Sequence, residues 1–215
     1  MKPTLTKYLN RGAFADAMLD KYFPLAPTKV ISDIGAGFGH MGPKINSIGG
    51  TWQPFDYYKK MDKSIVWDLN HSYPKETAKA GTVVFLEVLE HLANPLLGIS
   101  HIAEHLEPRG YLILTTPNPQ SAQNRLHLLR KGLLYAFQPK HLAEHHVFTP
   151  WEHVVRFFME QQGLEILEYA IVDIQYQYEK KQGIKAKFLS FICNIIEKRD
   201  PKAAGMSYGL VARKK

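Results

Sequence analysis

The chain has 215 residues, 45% of them hydrophobic, a net charge of +7 and one cysteine, Cys193. That length sustains one well-buried domain and is short for two, and a lone cysteine excludes an internal disulfide. No apolar run approaches the roughly 18 residues of a membrane span, and the first seven residues lack a signal-peptide core, so a soluble, cytoplasmic protein is expected, with an anionic partner left open by the charge.

Residues 11–22 carry Phe14, Met18, Leu19 and Tyr22 at helical spacing, and Pro24 and Pro27 end that helix. From Val30 a short β-branched strand runs into Gly35, Gly37 and Gly39, with Asp33 at the strand's end. Alternate glycines let φ turn positive and let the backbone approach a ligand closely. The dinucleotide fingerprint would place glycine at position 40, where His40 stands, so pyrophosphate is disfavoured. The acid at position 33 suits an amino group better than a phosphate.

A short helix over 41–48 tolerates Pro43 in its first turn, and Thr51 to Asp56 reads as a second strand, although Pro54 is awkward in a sheet ladder. Asp56 follows Asp33 at the spacing at which such folds place a carboxylate on ribose hydroxyls. Residues 57–64 are too few for a crossover helix, so a loop leads to the strand Ile65 to Asp68. Strands at Thr82 to Val88 and Tyr111 to Thr116 flank a helix from about Pro95 to Leu106, with Leu97, His101 and His105 on one side.

Residues 117–149 have no strand signal and read as a lid or substrate-recognition insertion, containing an amphipathic piece from Gln123 to Leu134. Thr149 and Pro150 are expected to cap and start a helix over 151–162, followed by a strand from Leu164 to Ile174, a helix over 186–197 and a strand over 208–212. Cys193, in an apolar run, reads as a packing residue.

Alternating strands and helices predict a mostly parallel sheet whose ligand lies beyond the carboxyl ends of the strands. Asp33 with the glycines, Asp56, Asp68 and Glu87 each stand at such an end. Together with Trp67 to Asn70, the run Glu87 to Leu92, Asn94-Pro95, Leu106 to Leu114, Thr116 to Asn118 and Phe148 to Pro150, they make the chain resemble the class I S-adenosylmethionine-dependent methyltransferases over roughly residues 30–170.

The resemblance implies a Rossmann-like α/β fold: a seven-stranded, mostly parallel sheet with an antiparallel last strand and helices on both faces. It implies one domain over 1–215, with the insertion at about 119–149. Asp33, Gly35, Ala36, Gly37 and Glu87 would take part in holding S-adenosylmethionine, with Asp56 on its ribose and Asp68 and Leu69 at its adenine. The chain departs from many relatives in its short 57–64 segment, which opens one wall of the adenine pocket, and in Gly81, where an acid is common.

Methyl transfer needs an aligned acceptor and, for a hydroxyl, a base, for which histidine is suited. His91, His145 and His146 are the catalytic candidates, with His141 as a further histidine of the insertion. A purely structural role for His91, bonding the turn after its strand, is the alternative. Some relatives hold a divalent cation on a Glu-x-x-Glu-His arrangement, here Glu87, Glu90 and His91 with His145 or His146; many others carry the same residues without metal, and no metal is the preferred reading.

The leading expectation is O-methylation of a small-molecule acceptor, a sugar or glycan or a secondary metabolite, giving S-adenosylhomocysteine. The alternatives are an RNA methyltransferase, favoured by Arg125, Arg130, Lys131 and Lys140 but lacking an RNA-binding module, and a metal-assisted enzyme acting on a quinone-like phenol.

Overall fold

The computed structural model describes residues 5–174 and 184–215. Its strands form one eight-stranded sheet. They are β1 (Thr6–Lys7), β2 (Val30–Ile34), β3 (Thr51–Asp56), β4 (Ile65–Val66), β5 (Ala80–Leu86), β6 (Leu106–Pro117), β7 (Leu164–Val172) and β8 (Ser207–Lys214), in spatial order β1-β7-β8-β6-β5-β2-β3-β4. Every pairing is parallel except the two made by β8, which runs antiparallel to β6 and β7. The seven expected strands are present, and the two-residue β1 adds an eighth beside β7.

The central strands are apolar on both faces, which is why they read as continuous hydrophobic runs. Val83, Phe85, Leu112, Leu114, Leu210 and Ala212 face one core, which α3 (Pro95–His105) and α5 (Glu152–Gln161) cover with Ile99, Ile102, Val155 and Met159. Their neighbours Val84, Ile113 and Val211 face the other, closed by α1 (Arg11–Tyr22) and α2 (Gly42–Ser47) through Phe14, Met18, Leu19 and Ile45. Asn10 caps α1, accepting from the Ala13 N–H at 2.9 Å, and Asn94 caps α3, accepting from Leu97 at 3.2 Å.

Pro54 is tolerated because of strand alternation. Thr51 N–H donates to Lys29 O of the chain entering β2, so Pro54 presents its nitrogen to the opposite edge, where β4 pairs only with Phe55 and Asp56. Gly81 lies within β5, and a Cβ there would stand 2.2 Å from Thr28 O; the backbone of Thr28 fills the space an acidic side chain would need.

Several expected boundaries change: the run expected as a strand from Ile65 to Asp68 is one only over Ile65–Val66, and the strand expected from Tyr111 already begins at Leu106. β5 ends at Leu86, short of the expected Val88, because Glu87 has φ 53°, and β7 ends at Val172, short of Ile174, because Asp173 has φ 58°. Thr149 does not cap α5: Trp151 is the N-cap and offers no side-chain hydrogen bond.

Between β6 and α5 the chain forms α4 (Ala122–Lys131), capped by Ser121 and stopped by Gly132 at φ 71°, and a 3-10 turn over Pro139–Glu144. The last helix, α6 (Ile184–Arg199), sits on α4, where buried Cys193 meets Ala122 and Ala203 and Arg125 pairs with Asp200.

Candidate active site

Beyond the carboxyl ends of β2 and β3 the glycine loop is held by backbone bonds. Gly35 N–H and Ala36 N–H both donate to Phe55 O at 2.9 Å, and Gly37 N–H donates to Asp56 Oδ2 at 2.9 Å. All three glycines of the loop have positive φ, between 57° and 83°. Asp56, nearly buried, also accepts from Tyr57 N–H at 2.8 Å and pairs with Lys60 at 3.2 Å. Three donors leave part of the roughly four acceptor directions of a carboxylate free.

Asp33 is buried beneath the loop and accepts from the Trp52 indole N–H at 3.2 Å. Burial pushes its carboxyl up to about 7, the Trp52 bond opposes that, and the charge of Asp56 adds to it. Trp67 N–H donates to Asp56 O at 2.9 Å, which fixes the start of the next run. Asp68 there accepts from Asn70 N–H and Nδ2–H, and buried Leu69 offers its carbonyl to His101 Nδ1 at 3.0 Å. Asp33, Gly35, Ala36, Gly37, Asp56, Asp68 and Leu69 thus share one end of the sheet.

From the short 57–64 segment, Met61 joins Lys63 and Trp52 around a cleft on the α2 side of Gly39, and Lys63 Nζ stands 4.0 Å from the Trp52 ring centroid.

Glu87 and Glu90 follow β5 and diverge. Glu87 N–H donates to Thr115 O at 2.9 Å, and its Oε2 accepts from Ser207 Oγ at 3.3 Å and lies 3.8 Å from Arg11. Its Oε1 is buried and makes no hydrogen bond among the described residues. Burial pushes Glu87 up to about 7, against the pull of Arg11. Glu90, 1% exposed, accepts from Thr116 Oγ1 at 3.0 Å, and burial together with Glu87 pushes its carboxyl well above the usual range.

The second cluster joins Glu90 to two histidines. His91 Nδ1 lies 2.7 Å from Glu144 O, and His146 Nδ1 lies 3.0 Å from Ala136 O. A carbonyl only accepts, so both Nδ1 atoms carry a proton, which leaves Nε2 of each ring as the atom turned to its surroundings. Glu90, His91 and His146 each bring one ligating atom within 4.8 Å of the others. Burial and the neighbouring His146 lower the pKa of His91 below that of free imidazole, so the ring is neutral near pH 7.

Glu87 and His145 stay outside this trio: Glu87 turns to Ser207 and Arg11, and His145 is exposed at φ 58° where the 3-10 turn ends. The role of His91 also differs from a turn bond within its own strand end. Its ring reaches the segment between β6 and α5, and Glu90 O accepts from Val147 and Phe148 N–H at 3.0 Å, so the two segments are tied at three points.

Sequence patterns missed Arg11, which stands 3.8 Å from both Glu87 and Asp173, and the buried His105, bonded to Ser32 Oγ at 2.8 Å. Position 105 was legible only as one side of a helix. No local pattern marks Arg11, whose partners come from distant strand ends.

A family model described as a methyltransferase domain matches residues 9–169. No curated protein sequence matches the chain. Among solved structures it is similar to a SAM-dependent methyltransferase from Archaeoglobus fulgidus, at 18% identity over 95% of each chain and a TM-score of 0.60. It is also similar to one from Aquifex aeolicus, at 13% identity over 94% of this chain and 90% of that one, TM-score 0.56. A geranyl diphosphate methyltransferase solved with GPP and sinefungin aligns at 14% identity over 95% of this chain and 77% of that one, TM-score 0.63. At these identities the likeness is one of fold.

Proposed function

The chain belongs to the family of S-adenosylmethionine-dependent methyltransferases, and within that activity we propose that it methylates a hydroxyl oxygen of a small-molecule acceptor with His91 or His146 as the base. The observation that carries this reading is the pair of imidazoles, each with Nδ1 held on a backbone carbonyl and Nε2 near buried Glu90.

The residues present fit the cofactor. A loop of positive-φ glycines leaves room for close approach, Asp56 keeps acceptor capacity for hydroxyl groups, and Glu87 Oε1 is a buried acceptor that no donor among the described residues satisfies. S-adenosylmethionine supplies a methyl carbon on a positively charged sulfur, which leaves as a neutral thioether. In this reading Asp33, the glycine loop, Asp56, Asp68 and Leu69 bind and orient it. The base would take the acceptor's hydroxyl proton at Nε2 as the methyl group passes to that oxygen, leaving the protonated imidazole and the neutral thioether. Residues 136–148, tied to Glu90 and His91, wall the site on that side.

The test is release of S-adenosylhomocysteine against a panel of sugars, phenols, amines and RNA. Turnover confined to hydroxylated small molecules is expected; turnover confined to amines, or to RNA with steep salt dependence, overturns the acceptor class.

A second, metal-assisted reading is favoured by the same trio, because a histidine that ligates a cation through Nε2 is held in place by a carbonyl on Nδ1, and both histidines are. Glu90, His91 and His146 would hold the ion, which would lower the pKa of an acceptor hydroxyl. Turnover unchanged by chelator removes this reading; loss on chelation with recovery on adding Mg2+, Mn2+ or Zn2+ supports it.

A further inference from the structure

We propose that the outward face of α4 and α6 is a docking surface for an anionic lipid bilayer. On α6 the inner side is accounted for, since Cys193 and Ile196 pack on Ala122 and Leu126 of α4. The outer side is left open among the described residues: Phe188 is 63% exposed, Phe191 60% and Ile195 36%. Their spacing puts all three on one side of the helix. Lys187 and Lys198, both exposed, fall in line with Phe191 at either end of that stripe.

On α4 the apolar stripe that meets α6 runs through Ala122 and Leu126 to Leu129, which is 83% exposed, with the exposed Arg130 at its edge. Large aromatic side chains left in water at helical spacing, edged by lysine and arginine, are the pattern of a helix lying in a membrane interface. The same charges oppose a two-fold contact between copies, which would bring like-charged edges together, whereas anionic headgroups complement them. No helix among the described residues is long and apolar enough to cross a bilayer, so the contact is peripheral.

α4 belongs to the segment whose later part binds His91 and Glu90. If the acceptor assignment above holds, this contact would present the site to a hydroxyl carried by a lipid. The docking itself does not depend on that assignment.

The experiment is co-sedimentation of the full chain with vesicles of phosphatidylcholine alone and of phosphatidylcholine with phosphatidylserine. Binding is expected to the phosphatidylserine vesicles and to weaken with salt. The double variant Phe188→Ser with Phe191→Ser should lose at least about tenfold in lipid affinity, and Lys187→Gln with Lys198→Gln should reduce the preference for phosphatidylserine. An unchanged melting temperature and S-adenosylhomocysteine affinity would show the variants folded. The proposal is overturned if the phenylalanine variant binds as wild type does, or if wild type stays in the supernatant with both vesicles. It is equally overturned if, without lipid, wild type self-associates in sedimentation equilibrium and the variant does not, which would make the face a contact between copies. Sedimentation reads lipid contact without turnover, so its failure is distinct from failure of the acceptor assignment.

Discussion

His91 and His146 meet edge to face, with ring centroids 4.8 Å apart and planes at 87°, and each ring is anchored through Nδ1 to the segment that precedes α5. If either Nε2 takes the acceptor's proton, replacing that ring removes a general base and leaves the cofactor pocket alone. His91→Asn or His146→Asn should then lower kcat by about 10²–10⁴, with S-adenosylhomocysteine affinity by calorimetry unchanged. Full turnover in both variants would exclude an imidazole base.

Asp56 joins the glycine loop to the second strand through its bond from Gly37 N–H. Removing the carboxylate takes away a charged acceptor for the ribose hydroxyls and frees the loop, so Asp56→Ala should weaken S-adenosylhomocysteine binding by about tenfold or more. Unaltered affinity in titration calorimetry would show the pocket to be wrongly assigned.

Two glycines of the same loop should respond differently to alanine. At Gly37 an added Cβ meets nothing nearer than Gly35 O at 4.0 Å, so only the left-handed backbone resists, at about 1–2 kcal/mol. At Gly39 the same backbone penalty is joined by contacts of 2.8 Å to Met61 Sδ and 2.9 Å to the Trp52 ring. Urea unfolding should find Gly39→Ala the more destabilised; equal midpoints would contradict the packing around Trp52.

Asp33 carries a pH dependence of defined sign. Its carboxyl rises from 3.8 when free to about 7 when folded, so between those values the folded chain binds the proton more tightly and stability falls as pH rises. The penalty is absent below about pH 4 and full above about pH 7, at most about 4 kcal/mol. Asp33→Asn should therefore gain on wild type in denaturant titrations as pH rises from about 4 to about 8. A gap independent of pH would contradict the buried carboxyl.

His105 acts in the opposite sense. Burial lowers it from 6.5 to about 4, so stability is full above about 6.5 and falls as the unfolded chain takes up the proton on acidification. His105→Phe retains an aromatic ring beside Phe55, Trp67 and Tyr73 and should narrow the loss between about pH 6.5 and 4. The check is the same titration, and an acid limb as steep as that of wild type would count against His105.

Much of the fold was legible because the central strands are buried on both faces. Val83, Val84 and Phe85, or Leu112, Ile113 and Leu114, leave no polar position to confuse with a helix stripe. The ends were harder. Glu87 and Asp173 leave their strands through positive φ, a conformation imposed by neighbours such as Ser207 and Arg11 and carried by no local signal in an acidic residue. The two-residue β1 is too short for any periodicity to mark it.

The sequence alone determined the parallel sheet, the glycine turn and the row of acids at strand ends, because these follow from local stereochemistry and from continuous apolar runs buried on both faces. It brought the histidines only as far as a list. Tertiary structure decided that Glu90 and not Glu87 joins His91, and that His146 and not His145 faces them. The reason is physical: adjacent residues in a turn point in different directions, and which one turns inward depends on the carbonyls of Ala136 and Glu144 that receive the two rings.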